Sequence, residues 1–186
     1  MTDYAELFTL GEDFLAIVAR ALPAEREAVD TVRRRLADPA CIDTNLRKRL
    51  AAVRGRYYLL AAAELWCPDC QLNVTAMDFM QQLQPNIRLA LITKGRAEEA
   101  LQQRLGLERI AIPLVLVLDE RFDAIGRFIE RPQRVIDGAE TLRAAYRDGD
   151  YLADTVADLL GLIEAAEGRV FTAPAGTAGT AGSVRS

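Results

Sequence analysis

Two cysteines three positions apart, Cys67 and Cys70, constrain this chain more than any other feature. They follow an apolar run over 57–63 that predicts a buried strand, and they open a segment over 68–84 that predicts a helix. A thiol at a helix N-terminus faces unpaired backbone N–H groups and the positive end of the helix dipole. Its thiolate is favoured there and can act as a nucleophile near neutral pH. The stretch therefore predicts a dithiol that closes into a disulfide and reopens.

Other interpretations of the two cysteines fit the sequence less well. A structural zinc site needs four Cys or His ligands, whereas this chain has three cysteines and no histidine. Zinc binding would therefore require two chains to share Cys67 and Cys70. The absence of histidine also excludes Ser-His and Cys-His hydrolytic sites. A purely structural disulfide is disfavoured, because so small a loop removes little chain entropy. We expect no metal ion and no other cofactor.

Composition and charge indicate which partners and which cellular compartment to expect. The chain has 186 residues, of which 51% are hydrophobic, and its net charge of -4 gives no reason to expect nucleic acid or an anionic membrane as a partner. Residues 1–10 have neither the basic nor the long apolar segment of a signal peptide. No apolar run approaches the roughly 20 residues that span a bilayer. We expect a cytoplasmic protein, whose thiols are kept reduced between turnovers.

Residues 1–55 predict an N-terminal helical extension. Apolar residues recur at three- and four-residue spacing and predict a first helix that ends near Leu22, a second over 24–37 and a third over 43–53. Their apolar faces must be buried against the rest of the chain or against a second copy, so a homodimer through these helices is possible. Cys41, between the second and third helices, is interpreted as a buried small hydrophobic residue rather than a third redox thiol.

Residues 56–148 predict alternating strands and helices, and residues 149–171 predict a further helix packed on that domain. The low-complexity residues 172–186 predict a disordered tail. A helix joins the first two strands, which are therefore expected to be parallel, and the last two strands form an antiparallel hairpin. Within 56–148, strands are predicted over 57–63, 87–93, 114–118 and 124–129, and helices over 68–84, 96–105 and 138–147.

This order of elements resembles the thioredoxin family. Two motifs carry the resemblance: Trp66-Cys67-Pro68-Asp69-Cys70 at the start of a helix, and Ile112-Pro113 directly before the third strand. The resemblance covers about residues 56–148 and implies an α/β, thioredoxin-like fold, in which helices flank a central mixed sheet of about four strands. It also implies that Pro113 is a cis-proline facing the dithiol. The N-terminal helical segment is an addition to that fold.

The resemblance further implies a thiol–disulfide oxidoreductase. Cys67 would attack a substrate disulfide, and Cys70 would resolve the mixed disulfide. Trp66 would form part of the contact surface, and the backbone of Ile112, beside Pro113, would pair with an extended substrate peptide. The implied partners are a protein or small-molecule disulfide as substrate and a thiol reductant or a reductase as electron donor.

Two departures from the family concern the charges around the dithiol. Thioredoxins commonly bury an acidic residue on the preceding strand, where this chain has Ala61, and Glu64 is the nearest candidate to replace it. The residues between the cysteines, Pro68 and Asp69, replace the typical Gly-Pro. The charge of Asp69 disfavours a neighbouring thiolate. We therefore expect Cys67 to be less acidic than in strongly oxidising relatives, and the protein to act as a reductant.

A third departure lies in the last strand, where 129–132 lacks the glycine that thioredoxins place beside the substrate groove. Arg131 is expected to narrow or charge that groove.

Two alternative functions stay open. The domain could be a redox-inactive or weakly active binding module, whose groove around Trp66, Ile112 and Pro113 holds a partner. A thiol peroxidase is a weaker alternative, because no supporting Thr and Arg can be placed around Cys67.

Overall fold

The computed structural model describes residues 3–172. The predicted disordered tail over 172–186 lies outside the described residues, apart from Thr172, which ends the last helix. In chain order the elements are α1 Tyr4–Leu10, α2 Phe14–Arg20, α3 Pro23–Ala37, α4 Thr44–Ala51, β1 Tyr57–Ala62, α5 Pro68–Leu83, β2 Ile87–Ile92, α6 Lys94–Leu105, β3 Leu114–Leu118, β4 Ala124–Ile129, α7 Gln133–Arg147 and α8 Leu152–Thr172.

The strands form one mixed sheet of four strands in the order β2-β1-β3-β4. β1 and β2 are parallel, with α5 as the connection between them, while β3 is antiparallel to both β1 and β4. Every residue of β3 is buried, which explains why its sequence is apolar throughout rather than alternating. Helices flank this sheet, and the predicted α/β, thioredoxin-like fold is confirmed.

The topology brings the two sequence motifs to the same end of the sheet. β1 ends at Ala62, and the chain then enters α5 at Pro68, whose missing N–H costs nothing in the first helical turn. Because β3 runs antiparallel to β1, its first residue, Leu114, lies opposite Ala62. The peptide bond that precedes β3, between Ile112 and Pro113, is cis, as the resemblance implies.

The first predicted helix is in fact two helices, α1 and α2, and the prediction of one unbroken helix to Leu22 was wrong. At the break, the Glu12 N–H donates to the Leu91 carbonyl over 2.8 Å, and the Leu91 N–H donates back over 2.9 Å. This bridge covers the outer edge of β2. Gly11 fits there because a Cβ would lie only 2.8 Å from the Cβ of Ala90.

The N-terminal helices bury their apolar faces within the same chain. Leu7, Phe14, Val29 and Leu36 are all buried, and α3 packs against α5. The homodimer through these helices stays a prediction.

Cys41 is partly buried and packs against the core, and desolvation raises the pKa of its thiol.

The C-terminal part differs from prediction in where α7 begins. The helix starts at Gln133, five residues before the predicted start at 138, and it is interrupted at Ala139, where φ is 44° and ψ is -128°. Helix α8 then packs against α5 and β4.

Among residues 3–172, no helix combines the length and the apolar character needed to cross a membrane.

Candidate active site

The two thiols of the CxxC motif lie at the N-terminus of α5. Cys67 occupies the N-cap position, and Cys70 lies one turn further in. Cys67 is 9% exposed, whereas Cys70 is completely buried. The Cys67 Sγ lies 3.7 Å from the carbonyl oxygen of Ile112, which precedes the cis-proline Pro113. The structure therefore brings the dithiol and the cis peptide bond together, although Cys70 and Pro113 are 43 positions apart in the sequence.

The two thiols have opposite acid–base properties. The pKa of Cys67 is lowered to about 6, chiefly by a hydrogen bond from the Cys70 thiol and also by the backbone N–H groups of Cys70 and Asp69, while desolvation and the charge of Asp69 act in the opposite direction. The same hydrogen bond with Cys67, together with burial, raises the pKa of Cys70. These opposite shifts favour the thiolate at the outer sulfur and the protonated thiol at the inner one.

The expectation that Cys67 is less acidic than in strongly oxidising relatives stays a prediction. That the protein acts as a reductant stays a prediction.

Two exposed apolar side chains flank Cys67 in the sequence. Trp66 is 62% exposed directly before Cys67, and Pro68 is exposed directly after it. Ile112 is buried, so it borders the Cys67 sulfur through its backbone carbonyl. The arrangement leaves an aromatic ring and a cis-proline loop beside a thiolate, which is a suitable surface for an extended peptide.

Asp69, between the cysteines, points away from solvent and is only 6% exposed. Arg131 donates from Nε and from Nη2 to the Asp69 Oδ2, each over 3.2 Å. On the other side, the Arg147 Nη2 lies 3.7 Å from Oδ1, which accepts no hydrogen bond. The guanidinium of Arg131 is thus paired with Asp69, and the expectation that this residue narrows or charges the substrate groove stays a prediction.

The carboxylate that thioredoxins bury below the dithiol is absent here. Ala61 is fully buried on β1 and has no ionisable group. Glu64 lies in the loop after β1, and its Oε1 accepts a hydrogen bond of 3.0 Å from the Lys94 N–H at the start of α6. A carboxylate at a helix N-terminus is favourably placed. Glu64 is therefore held at the start of α6, and the expectation that it could replace the missing group gains no support.

A buried polar network behind the dithiol was missed by the sequence analysis. Asn73, on α5, is fully buried, and the two hydrogens of its Nδ2 are shared among three acceptors at 2.8–2.9 Å: the Tyr146 hydroxyl, the Glu130 carbonyl and the Asp69 carbonyl. Its Oδ1 accepts a hydrogen bond of 2.6 Å from the Thr155 hydroxyl. The network joins α5, the β4–α7 turn, α7 and α8. Its only sequence signal is an asparagine inside a largely apolar helix.

Glu130 connects this network to the cis-proline loop. Its N–H donates to the Pro113 carbonyl over 2.8 Å, and its own carbonyl accepts from Asn73. Glu130 has a φ of 58°, a left-handed conformation that favours glycine. These two hydrogen bonds fix the turn that carries Arg131 towards Asp69.

The described part of the chain, residues 3–172, has no group of three or more His, Cys, Asp or Glu side chains placed to hold a metal ion. That the protein needs no cofactor stays a prediction.

A thioredoxin family model matches residues 18–144, which include α3, α4 and all four strands. The chain belongs to the thioredoxin family. A solved structure of a protein of unknown function from Pseudomonas aeruginosa is 55% identical, with a TM-score of 0.87, over 89% of this chain and 99% of that one. An HIV epitope-scaffold is 53% identical, with a TM-score of 0.85, over 88% of this chain and 98% of that one. The comparison with curated proteins finds no match.

Membership of this family supports a redox-related role for the chain. Neither of the two similar structures is named for an activity. The specific chemistry must therefore be argued from the dithiol and its surroundings.

Proposed function

We propose that this thioredoxin-family protein is a cytoplasmic thiol–disulfide oxidoreductase that reduces disulfides through a mixed disulfide at Cys67. One observation carries the proposal: the Cys67 sulfur lies 3.7 Å from the Ile112 carbonyl, beside cis-Pro113, with a second, buried thiol behind it. A thiolate next to a resolving thiol is the arrangement that disulfide exchange requires.

In the first step, the Cys67 thiolate attacks one sulfur of the substrate disulfide. A bond forms between that sulfur and Cys67, the substrate S–S bond breaks, and the other substrate sulfur leaves as a thiolate that takes up a proton. A pKa of about 6 keeps Cys67 ionised at neutral pH, so no separate base is needed for this step.

In the second step, Cys70 resolves the mixed disulfide. The Cys67 thiolate is one cause of the raised pKa of Cys70, and that charge disappears when Cys67 enters a disulfide. Cys70 then loses its proton more easily and attacks the Cys67 sulfur, which releases the second substrate thiolate. The substrate has gained two electrons, and a disulfide bond now joins Cys67 and Cys70. A thiol reductant or a reductase returns two electrons and two protons.

The substrate contacts are assigned to residues beside the sulfur: the exposed Trp66 and the backbone of the buried Ile112 and Pro113. Trp66 offers an open aromatic face, and the loop of Ile112 and Pro113 offers backbone next to Cys67. Substrate main chain laid along this loop would bring its disulfide to the thiolate. Pro68 and Asp69 modulate the site from within the first turn of α5.

A trapping experiment tests the proposal. In a Cys70→Ser variant the resolving thiol is missing, so mixed disulfides with cytosolic substrates should accumulate on Cys67. They should appear as adducts that dithiothreitol cleaves and that mass spectrometry assigns to Cys67. The matched control is the Cys67→Ser/Cys70→Ser double variant, which should capture nothing. Equal recovery from both variants would contradict the proposal and favour a module that binds partners without exchange.

A further inference from the structure

An acidic residue between the two cysteines works against the chemistry proposed for them. The negative charge of Asp69 raises the pKa of Cys67, and Asp69 is too deeply buried for water to screen that charge well. A site that depends on a thiolate should therefore compensate the carboxylate. The arginines that contact Asp69 come from the turn after β4 and from the end of α7.

We propose that Arg131 is a positioning residue, which together with Arg147 holds the Asp69 carboxylate in an ion pair and keeps its charge from opposing the Cys67 thiolate. The inference rests on the dithiol chemistry proposed above. Arg131 meets a single carboxylate oxygen with two N–H donors, and Arg147 lies beside the other oxygen. Removing Arg131 would take away the nearest cation of this buried carboxylate and leave it with the more distant Arg147 and the neutral hydroxyl of Tyr146.

The position of Arg131 is set by backbone rather than by the salt bridge alone. The preceding residue, Glu130, is tied to Pro113 through its N–H and to Asn73 through its carbonyl. The Arg131 guanidinium also lies 5.8 Å from the centre of the Tyr146 ring. Because the residue before it is fixed and its guanidinium lies beside a ring, Arg131 can position a carboxylate more firmly than a freely rotating surface side chain.

The other ionisable groups near the site do not supply this compensation. Burial raises the pKa of Tyr146, so its phenol stays neutral: it can hydrogen-bond to Asp69 but brings no positive charge. The thiol of Cys70 holds its proton. Glu64 is bound at the start of α6, and Glu130 carries the same sign of charge as Asp69. Within residues 3–172, the ion pairs of Asp69 are those with Arg131 and Arg147.

The test measures the ionisation of Cys67 without any substrate turnover. The rate at which iodoacetamide alkylates Cys67 in the reduced full chain is followed against pH, with the adduct located by mass spectrometry. In the wild type the rate should rise as the pH increases through about 6, because the thiolate is the reacting form. Arg131→Met should raise the measured pKa of Cys67 by about one, and Asp69→Asn should lower it.

A double variant and a matched control decide the outcome. Asp69→Asn/Arg131→Met should have the same pKa as Asp69→Asn, because Arg131 acts through Asp69. Arg131→Lys, which keeps the positive charge, should restore most of the wild-type profile. Arg134→Met is the control, since Arg134 also lies on the α7 side of the site but pairs with Asp154. It should leave the profile unchanged.

The inference is overturned if Arg131→Met behaves like Arg134→Met, or if its effect persists in the double variant. Should Arg131→Met fail to fold, Arg131→Gln takes its place: a raised pKa of Cys67 that disappears in Asp69→Asn/Arg131→Gln supports the inference, and a pKa equal to that of Arg134→Met overturns it. A normal alkylation profile in a protein that traps no substrate would refute the proposed function and leave this inference standing.

Discussion

Replacing Cys67 with serine should reduce catalysed insulin reduction to the rate given by dithiothreitol alone. A serine hydroxyl is not ionised at neutral pH and cannot form the mixed disulfide, so the loss should be complete rather than partial. The assay follows the precipitation of the reduced insulin B chain with wild-type protein, with the variant and with reductant only.

Cys41→Ser is the matched control for this substitution, because it removes a thiol that packs against the core rather than lying beside cis-Pro113. Its rate should stay within about twofold of the wild type, since surface or partly buried changes of this size have small effects. A wild-type rate no faster than dithiothreitol alone, or a Cys67→Ser rate equal to the wild type, would contradict a general reductase activity.

Asn73→Ala should cause the largest loss of stability among substitutions near the site. The change removes at once a hydrogen-bond partner of the Thr155 hydroxyl, the Tyr146 hydroxyl and the Glu130 carbonyl, and Asn73, Thr155 and Tyr146 are all buried. Buried polar groups left without partners cost about 1–3 kcal/mol each, so we expect the free energy of unfolding to fall by about 3–4 kcal/mol. Urea unfolding of the reduced protein measures this change.

Asn45→Ala gives the matched comparison, because Asn45 is an exposed asparagine on another helix, α4. Its free energy of unfolding should change by less than about 0.5 kcal/mol. If Asn73→Ala were as mild as Asn45→Ala, the network would not hold α5 to the β4–α7 turn.

Much of the fold followed from local sequence patterns. The apolar run of β3 and the hairpin to β4 were visible because each is a continuous local signal. The start of α5 was visible because Pro68 suits the first turn of a helix. The thioredoxin-like order of these elements then placed Cys67 beside Pro113, although the two motifs are far apart in the chain.

The errors arose where a distant partner decides the local structure. The break between α1 and α2 depends on hydrogen bonds between Glu12 and Leu91, and the periodicity of the helix does not contain that pairing. Asn73 and Thr155 are similarly 82 positions apart. The pairing of Asp69 with Arg131 depends on the backbone of Glu130, which no pattern of residue types revealed.

The most direct test of the account is whether Cys67 and Cys70 form a reversible disulfide with each other. The protein is equilibrated in glutathione buffers of graded potential, quenched in acid and digested with trypsin, which leaves both cysteines in the peptide 57–88 and Cys41 in the separate peptide 36–47. We expect the peptide 57–88 to lose two hydrogens in one two-electron transition, with a midpoint potential between about -270 and -200 mV. If Cys67 and Cys70 stay as two thiols across this range, or form only glutathione adducts, the proposed dithiol–disulfide chemistry is contradicted.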